Sequence, residues 1–193
     1  MPDDDELSAS IYAFMNRRRY ADFDRATLAS ISNDDLELAI QDYVYARIGD
    51  DSANEDARLA ELSPGFRAVF TTLCVEAEVR NGGFNQYFWN SEGKLADLAV
   101  EGFRHIGAPE YADLMKRAIA TWRDENDVIE PFREVGTIEA FSESYEHSKL
   151  GDLDHEFYEL VKVSDLSHLR IAFIRTHEHE FITTKADRQP NSA

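Results

Sequence analysis

Apolar residues recur every three or four positions along almost the whole chain, and this period limits the fold more than any motif does. The clearest run is Phe66, Val69, Phe70, Leu73, Cys74 and Ala77. Such spacing lines one face of an α-helix and conflicts with the two-residue alternation of a half-buried strand. Ser63-Pro64 opens the run with a hydroxyl cap and a proline at the first helical position. Asn81-Gly82-Gly83 closes it, since glycine tolerates the backbone that ends helices. The same period marks a first amphipathic helix through Leu7, Ile11, Phe14 and Met15. A second carries Leu36, Ile40, Tyr43, Val44 and Ile48, with Ser32 as N-cap, Asp35 three positions on and Gly49 at its end. Further helices are predicted at 54–62, at Phe84, Tyr87 and Phe88, at 94–106, after Pro109, and at 137–144, 153–163 and 166–181. Val161-Lys162-Val163 and Phe181-Ile182-Thr183 are too short to build a sheet. No heptad register lasts three repeats, which excludes a long coiled coil. The expectation is an all-α, single-domain orthogonal array of roughly seven to nine helices. In that reading an acidic helical region, 1–62, packs on a helical domain, 63–187, and 188–193 is a flexible tail.

The chain has 193 residues, 43% of them hydrophobic, with 12 Phe, 8 Tyr and 2 Trp, enough for a sizeable core. The one cysteine, Cys74, excludes an internal disulfide, and its place on an apolar stripe predicts a core thiol rather than a nucleophile. No stretch has the roughly 18 consecutive apolar residues of a membrane helix. The acidic start, Met1 to Glu6, lacks the basic region of a targeting peptide. These features predict a cytoplasmic protein.

Charge is the outlier: 38 acidic against 20 basic residues, a formal charge of −18. Nucleic acid and anionic membranes should repel such a chain, and basic proteins should be drawn to it. The acidity is uneven. Residues 1–64 hold 15 acids and 6 bases, 65–110 hold 6 and 4, and 111–193 hold 17 and 10. The near-neutral middle therefore reads as core and the flanks as surface. Two flank stripes have helical spacing: Glu139, Glu143 and Glu146, and Asp152, Glu156 and Glu159. Four helical residues rise about 6 Å, and duplex DNA carries a charge about every 3.4 Å per strand, so adjacent acidic faces can approximate a phosphate array. Asp34, Asp35, Asp42, Asp50, Asp51, Glu55 and Asp56 form a third acidic group. All these carboxylates are candidate partner-binding residues, weighed against an acidity that serves solubility or salt adaptation. The basic run Arg17-Arg18-Arg19 is expected to pair with the acidic flank.

The densest polar and aromatic segment runs from Glu78 to Gly93 and contains Asn81-Gly82-Gly83-Phe84-Asn85-Gln86-Tyr87-Phe88-Trp89-Asn90. Its residues suit a helical corner: the glycines turn, Phe84, Tyr87 and Phe88 pack inward, and Asn85, Gln86 and Asn90 satisfy helix ends. The alternative is a small pocket lined by Asn81, Gln86 and Tyr87. This segment resembles the signature of the DNA-mimic protein family. Residues 99–108, ending in Ile106-Gly107-Ala108, and Leu153-Asp154-His155-Glu156-Phe157-Tyr158 resemble two further elements of that family. The similarity covers roughly residues 60–165. The resemblance implies an all-α fold and a homodimer that presents surface carboxylates to the DNA-binding surface of a transcription factor.

Other chemistry finds little support. The glycines lack the lysine of a phosphate loop, and no G-x-S-x-G elbow occurs. His177-Glu178-His179-Glu180 departs from the H-E-x-x-H metal helix and reads as solvated surface, with His168 upstream. No cofactor or metal and no catalytic residue is expected. The sequence thus predicts a non-enzymatic module that binds a basic DNA-binding protein. The alternatives are an immunity-type inhibitor of a basic nuclease or toxin, and a small-molecule site or enzyme at the Asn81–Asn90 corner.

Overall fold

The computed structural model describes residues 4–49 and 54–184. Eleven α-helices account for most of them, and no strand occurs among the described residues. The helices are α1 (Asp4–Met15), α2 (Arg25–Ser30), α3 (Asn33–Ile48), α4 (Glu55–Glu61), α5 (Pro64–Ser91), α6 (Ala96–His105), α7 (Pro109–Asp124), α8 (Asn126–Val135), α9 (Ile138–Ser144), α10 (Leu150–Val163) and α11 (Leu166–Thr176). Short 3-10 turns follow α9 and α11. The all-α reading is thus met, and the expected tail at 188–193 lies outside the described residues.

Local signals explain most boundaries. Ser32 caps α3: its hydroxyl oxygen accepts the Asp35 N–H at 3.2 Å and its O–H donates to the Asp35 carboxylate at 2.7 Å. Asp24 caps α2, Thr137 caps α9 and Asp165 caps α11 in the same way. The apolar period does not announce α2 or α8. Each buries a single residue completely, Leu28 and Ile129, and α8 contains Pro131. A proline inside a helix removes one hydrogen bond and reads in sequence as a break.

One hydrophobic core joins residues from Phe23 to Phe181. Helix α5 runs through it and packs against α3, α6 and α10, while α7 covers α6 and α10 and α8 lies on α9. Gly102 of α6 meets the Ala68 backbone of α5, with 3.2 Å between an added Cβ and that backbone, so the two helices approach more closely than larger residues allow. Aromatic rings fill the remaining space in two chains. Phe84, Phe157, Tyr111 and Phe103 form one, and Phe23, Tyr43, Phe66 and Phe181 the other.

Polar ties close the ends. Thr183 N–H donates to the Phe23 carbonyl at 2.8 Å, and Phe23 N–H donates to the Thr183 hydroxyl at 2.9 Å. Arg170 on α11 is 1% exposed and bridges Glu37 of α3 and Glu76 of α5, the latter at 2.5 Å. His177 and Glu180 are part of this closure and half-buried, whereas His179 is the solvated residue that the polarity of the cluster suggests. His177 stacks on Phe173 with ring centres 4.5 Å apart, Glu180 pairs with His105 at 2.8 Å, and the Glu180 carbonyl accepts the Ser63 hydroxyl. Among the described residues, no three His, Cys, Asp or Glu converge to hold a metal.

Helix α1 forms where the stripe predicts, yet Ile11, Phe14 and Met15 are 55%, 52% and 65% exposed. The Leu7 side chain lies outside the described set. The reason is local: the chain leaves α1 through Arg17, whose guanidinium stacks on Phe14 at 3.8 Å and clamps Asp42 of α3 at 2.6 and 2.8 Å. That clasp fixes the end of α1 without laying its apolar face on the core.

Candidate interaction site

The site begins with a break in α5. Gly82 has φ −161° and ψ 33°, and Gly83 has φ +72° and ψ −178°, so two helices meet at a kink inside one continuous element. A kink strands backbone groups that regular helix would pair, and these are satisfied from afar. Asp154 of α10 accepts the Phe84 N–H at 2.7 Å, acting as a cap supplied from 70 residues away. Tyr158, one helical turn on, donates its hydroxyl to the Val79 carbonyl at 2.9 Å. The Tyr145 hydroxyl donates to the Gly82 carbonyl. Phe157, between these groups on α10, meets the Phe84 ring edge-on at 5.9 Å. The Leu153–Tyr158 element and the Asn81–Asn90 segment are therefore two halves of one corner. Burial holds the Asp154 carboxyl above its usual range, and the Phe84 N–H bond works against that rise.

Glycine is required on steric grounds at Gly83. A β-carbon there would overlap the Asp154 carboxylate, and this positive φ with extended ψ is a glycine region. The three amides of the segment do other work than predicted. Asn85 is buried and donates to the buried Ser144 hydroxyl at 2.8 Å. Gln86 Nε2 and Asn90 Nδ2 both donate to one oxygen of Glu78, at 2.7 and 2.8 Å. No helix end is capped by them, because the helix bends here instead of ending.

The bend opens a groove of about 320 Å³ on the outer side, lined by Asn81, Gln86, Trp89 and Asn90 of α5 and by Gly136, Thr137, Ile138 and Phe141. The expected pocket residues Asn81 and Gln86 are in it. Tyr87 is not: it is 2% exposed and packs on Phe88 at 5.1 Å, since one further residue along the helix turns the side chain inward. The other wall, residues 136–141, carries no periodic signal that ties it to α5, so only the fold brings it there. Trp89 and Phe141 meet across the groove at 5.1 Å in an edge-on arrangement.

The predicted carboxylates divide by pairing. Asp42 is held by Arg17, Glu156 by Arg117 at 2.5 and 2.9 Å, and Glu159 by Lys162 at 2.5 Å. Asp35 is occupied with the Ser32 cap. Both paired glutamates of α10 titrate below the usual range, each chiefly because its cationic partner hydrogen-bonds to it. Asp34 is exposed, and Glu55 and Asp56 stand in the first turn of α4, where the helix dipole favours acids. Asp50 and Asp51 lie outside the described residues. Glu139, Glu143, Glu146 and Asp152 are exposed and make no ion pair among the described residues. Glu146 leaves the Glu139–Glu143 line, because α9 stops at Ser144 and tightens into a 3-10 turn. Burial pushes the Cys74 thiol up to about 12, which disfavours its thiolate form.

A family model described as DMP19-like protein matches residues 60–177, more than half of the chain and both halves of the corner. No curated protein and no solved structure matches the chain.

Proposed function

We propose that this chain, which belongs to the DMP19-like (DNA-mimic) protein family, is an acidic interaction module that binds a basic DNA-binding protein through surface carboxylates. The observation that carries this reading is a run of unpaired acids from the end of α7 to the start of α10. Asp124, Asp127, Glu134, Glu139, Glu143, Glu146 and Asp152 are all exposed and without an ion pair among the described residues. The only Arg or Lys in that stretch are Arg133, which Glu130 holds at 2.6 Å, and Lys149. Repulsion among uncompensated carboxylates costs stability, and attraction to a cationic partner relieves it. In this reading the protein acts by occupation, with no chemical step. A phosphate-like field competes with DNA for the same basic surface.

The test is capture from a lysate of the source cells on the immobilised protein at low salt, followed by elution with duplex DNA. Recovery of a basic DNA-binding protein that DNA displaces and salt releases is the expected result. Capture of no basic protein would sink the reading. An adjacent reading, an inhibitor of a basic nuclease or toxin, differs only in the partner that elutes. A site for a small ligand at the Asn81–Asn90 corner has the groove in its favour.

A further inference from the structure

We propose that the groove between the second half of α5 and the start of α9 receives an arginine side chain. The source of that arginine, a basic partner protein, rests on the reading above; the chemistry of the groove does not.

Glu78 orients two amides of the groove. A carboxylate can only accept hydrogen bonds, so the amide groups that meet it must face it with their nitrogens. Gln86 and Asn90 do so at 2.7 and 2.8 Å. Both amides also line the groove; each keeps one N–H beyond its bond to Glu78, the Gln86 carbonyl oxygen lies against Gly82, and the Asn90 carbonyl oxygen makes no hydrogen bond among the described residues. Asn81, exposed and without a hydrogen bond among the described residues, adds a third amide.

The field has one sign. No Lys or Arg lines the groove. The far wall, residues 136–141, and the two residues on either side of it hold Glu134, Glu139 and Glu143 and no base, although none of these acids lines the groove itself. Two cations near in sequence are engaged elsewhere, Arg80 by Glu76 at 2.8 Å and Arg133 by Glu130 at 2.6 Å. An anion is excluded by this charge. A neutral apolar ligand would bury the amide oxygens unpaired, at about 1–3 kcal/mol for each.

Between the two common cationic side chains, the walls choose. Trp89 and Phe141, packed edge-on against each other, put aromatic surface in the groove lining, against which a flat guanidinium stacks better than a compact ammonium. Five N–H donors in one plane can reach the Asn81 and Asn90 amide oxygens together, whereas an ammonium has three on a point. The volume of about 320 Å³ sits at the small end of the ~300–1,000 Å³ of ligand pockets, suited to one side chain rather than a cofactor. Ile138, 79% exposed on the rim, offers apolar surface for the methylenes.

The test is a titration of the full chain with N-acetyl-arginine methylamide, followed by tryptophan fluorescence. Trp122 is stacked flat on the buried Phe88 ring at 4.9 Å, so a groove ligand reports through Trp89. A saturable change is expected. It should be at least about tenfold weaker with the uncharged citrulline isostere and weaker with the lysine analogue. Ile138→Arg should fill the groove from its exposed rim and abolish the response with an unchanged circular dichroism spectrum and Tm. Glu78→Gln should weaken it. The proposal is overturned by no saturable response, by equal binding of citrulline, which marks a neutral-ligand site, or by a response that survives Ile138→Arg. If a basic protein is captured equally by the wild type and by Ile138→Arg, the groove inference falls and the carboxylate reading stands. Arginine binding with no captured basic protein upholds the groove and removes the carboxylate reading.

Discussion

Gly83 combines φ +72° with ψ −178°, a conformation costing a residue with a β-carbon about 1–3 kcal/mol. The added carbon would also push on the Asp154 carboxylate that caps Phe84. Gly83→Ala is expected to lose at least that much stability in urea unfolding. Gly107 has a similar φ of +81° but open space around it, so Gly107→Ala should cost less. Asp154 itself makes a second residue-level case. Its cap is worth about 0.5–2 kcal/mol, the loss expected for Asp154→Ala. Asp154→Asn keeps an acceptor and removes a charge that burial disfavours. Because the folded carboxyl titrates above its ordinary 3.8, the folded state holds this proton more tightly than the unfolded chain. Its contribution to stability therefore declines as pH rises from the unfolded value through the folded one. The urea midpoint of Asp154→Asn relative to wild type should accordingly increase between pH 4 and pH 7. A constant difference would show that Asp154 titrates as in the unfolded chain.

The elements differ in how strongly they are tied. Helix α11 is fastened to α3 and α5 by Arg170, which is 1% exposed between Glu37 and Glu76, and to the start of α3 by Arg175 as well. Removing one member of a buried ionic group leaves uncompensated charge, at about 3–5 kcal/mol. Arg170→Met should lose that amount in chemical denaturation, and adding Glu37→Gln and Glu76→Gln should recover part of it. Helix α1 lies at the other extreme. Its exposed Ile11 and Met15 bury little, so Ile11→Ser with Met15→Ser should move the unfolding midpoint by no more than about 0.5 kcal/mol. A larger loss would mean that α1 covers apolar surface.

At the scale of the molecule, charge decides. The chain carries −18, but pairing sorts its acids into two populations, and only the unpaired ones project a field. On the proposed function, neutralising Glu139, Glu143, Glu146 and Asp152 together should weaken capture of a basic protein and flatten its salt dependence. Neutralising Glu156 and Glu159 should do neither, because Arg117 and Lys162 already compensate them. Equal effects of both sets, measured as affinity at two salt concentrations, would show that overall acidity and not its placement drives binding.

What the sequence determined by itself is the class of fold and most of its punctuation. Helical period, the Ser32 cap, Pro64 at the first helical position and the Gly49 stop are local, and local physics settles them; Ser63 instead spends its hydroxyl on the distant Glu180 carbonyl, and Gly82-Gly83 bend α5 without ending it. The corner was legible as a motif, and the Leu153–Tyr158 element as a second one. That they belong together was not, because Asp154 meets Phe84 across 70 residues and spacing carries no trace of such a contact. The same reason hid the groove, whose walls come from α5 and from the turn before α9. It also hid which carboxylates are free. Asp152, Glu156 and Glu159 look alike as a helical stripe, and only the packing of α7 on α10 brings Arg117 to Glu156. Helical period fixes which residues share a face of one helix. Which charges from other helices meet that face depends on how the core closes, and that is decided in three dimensions.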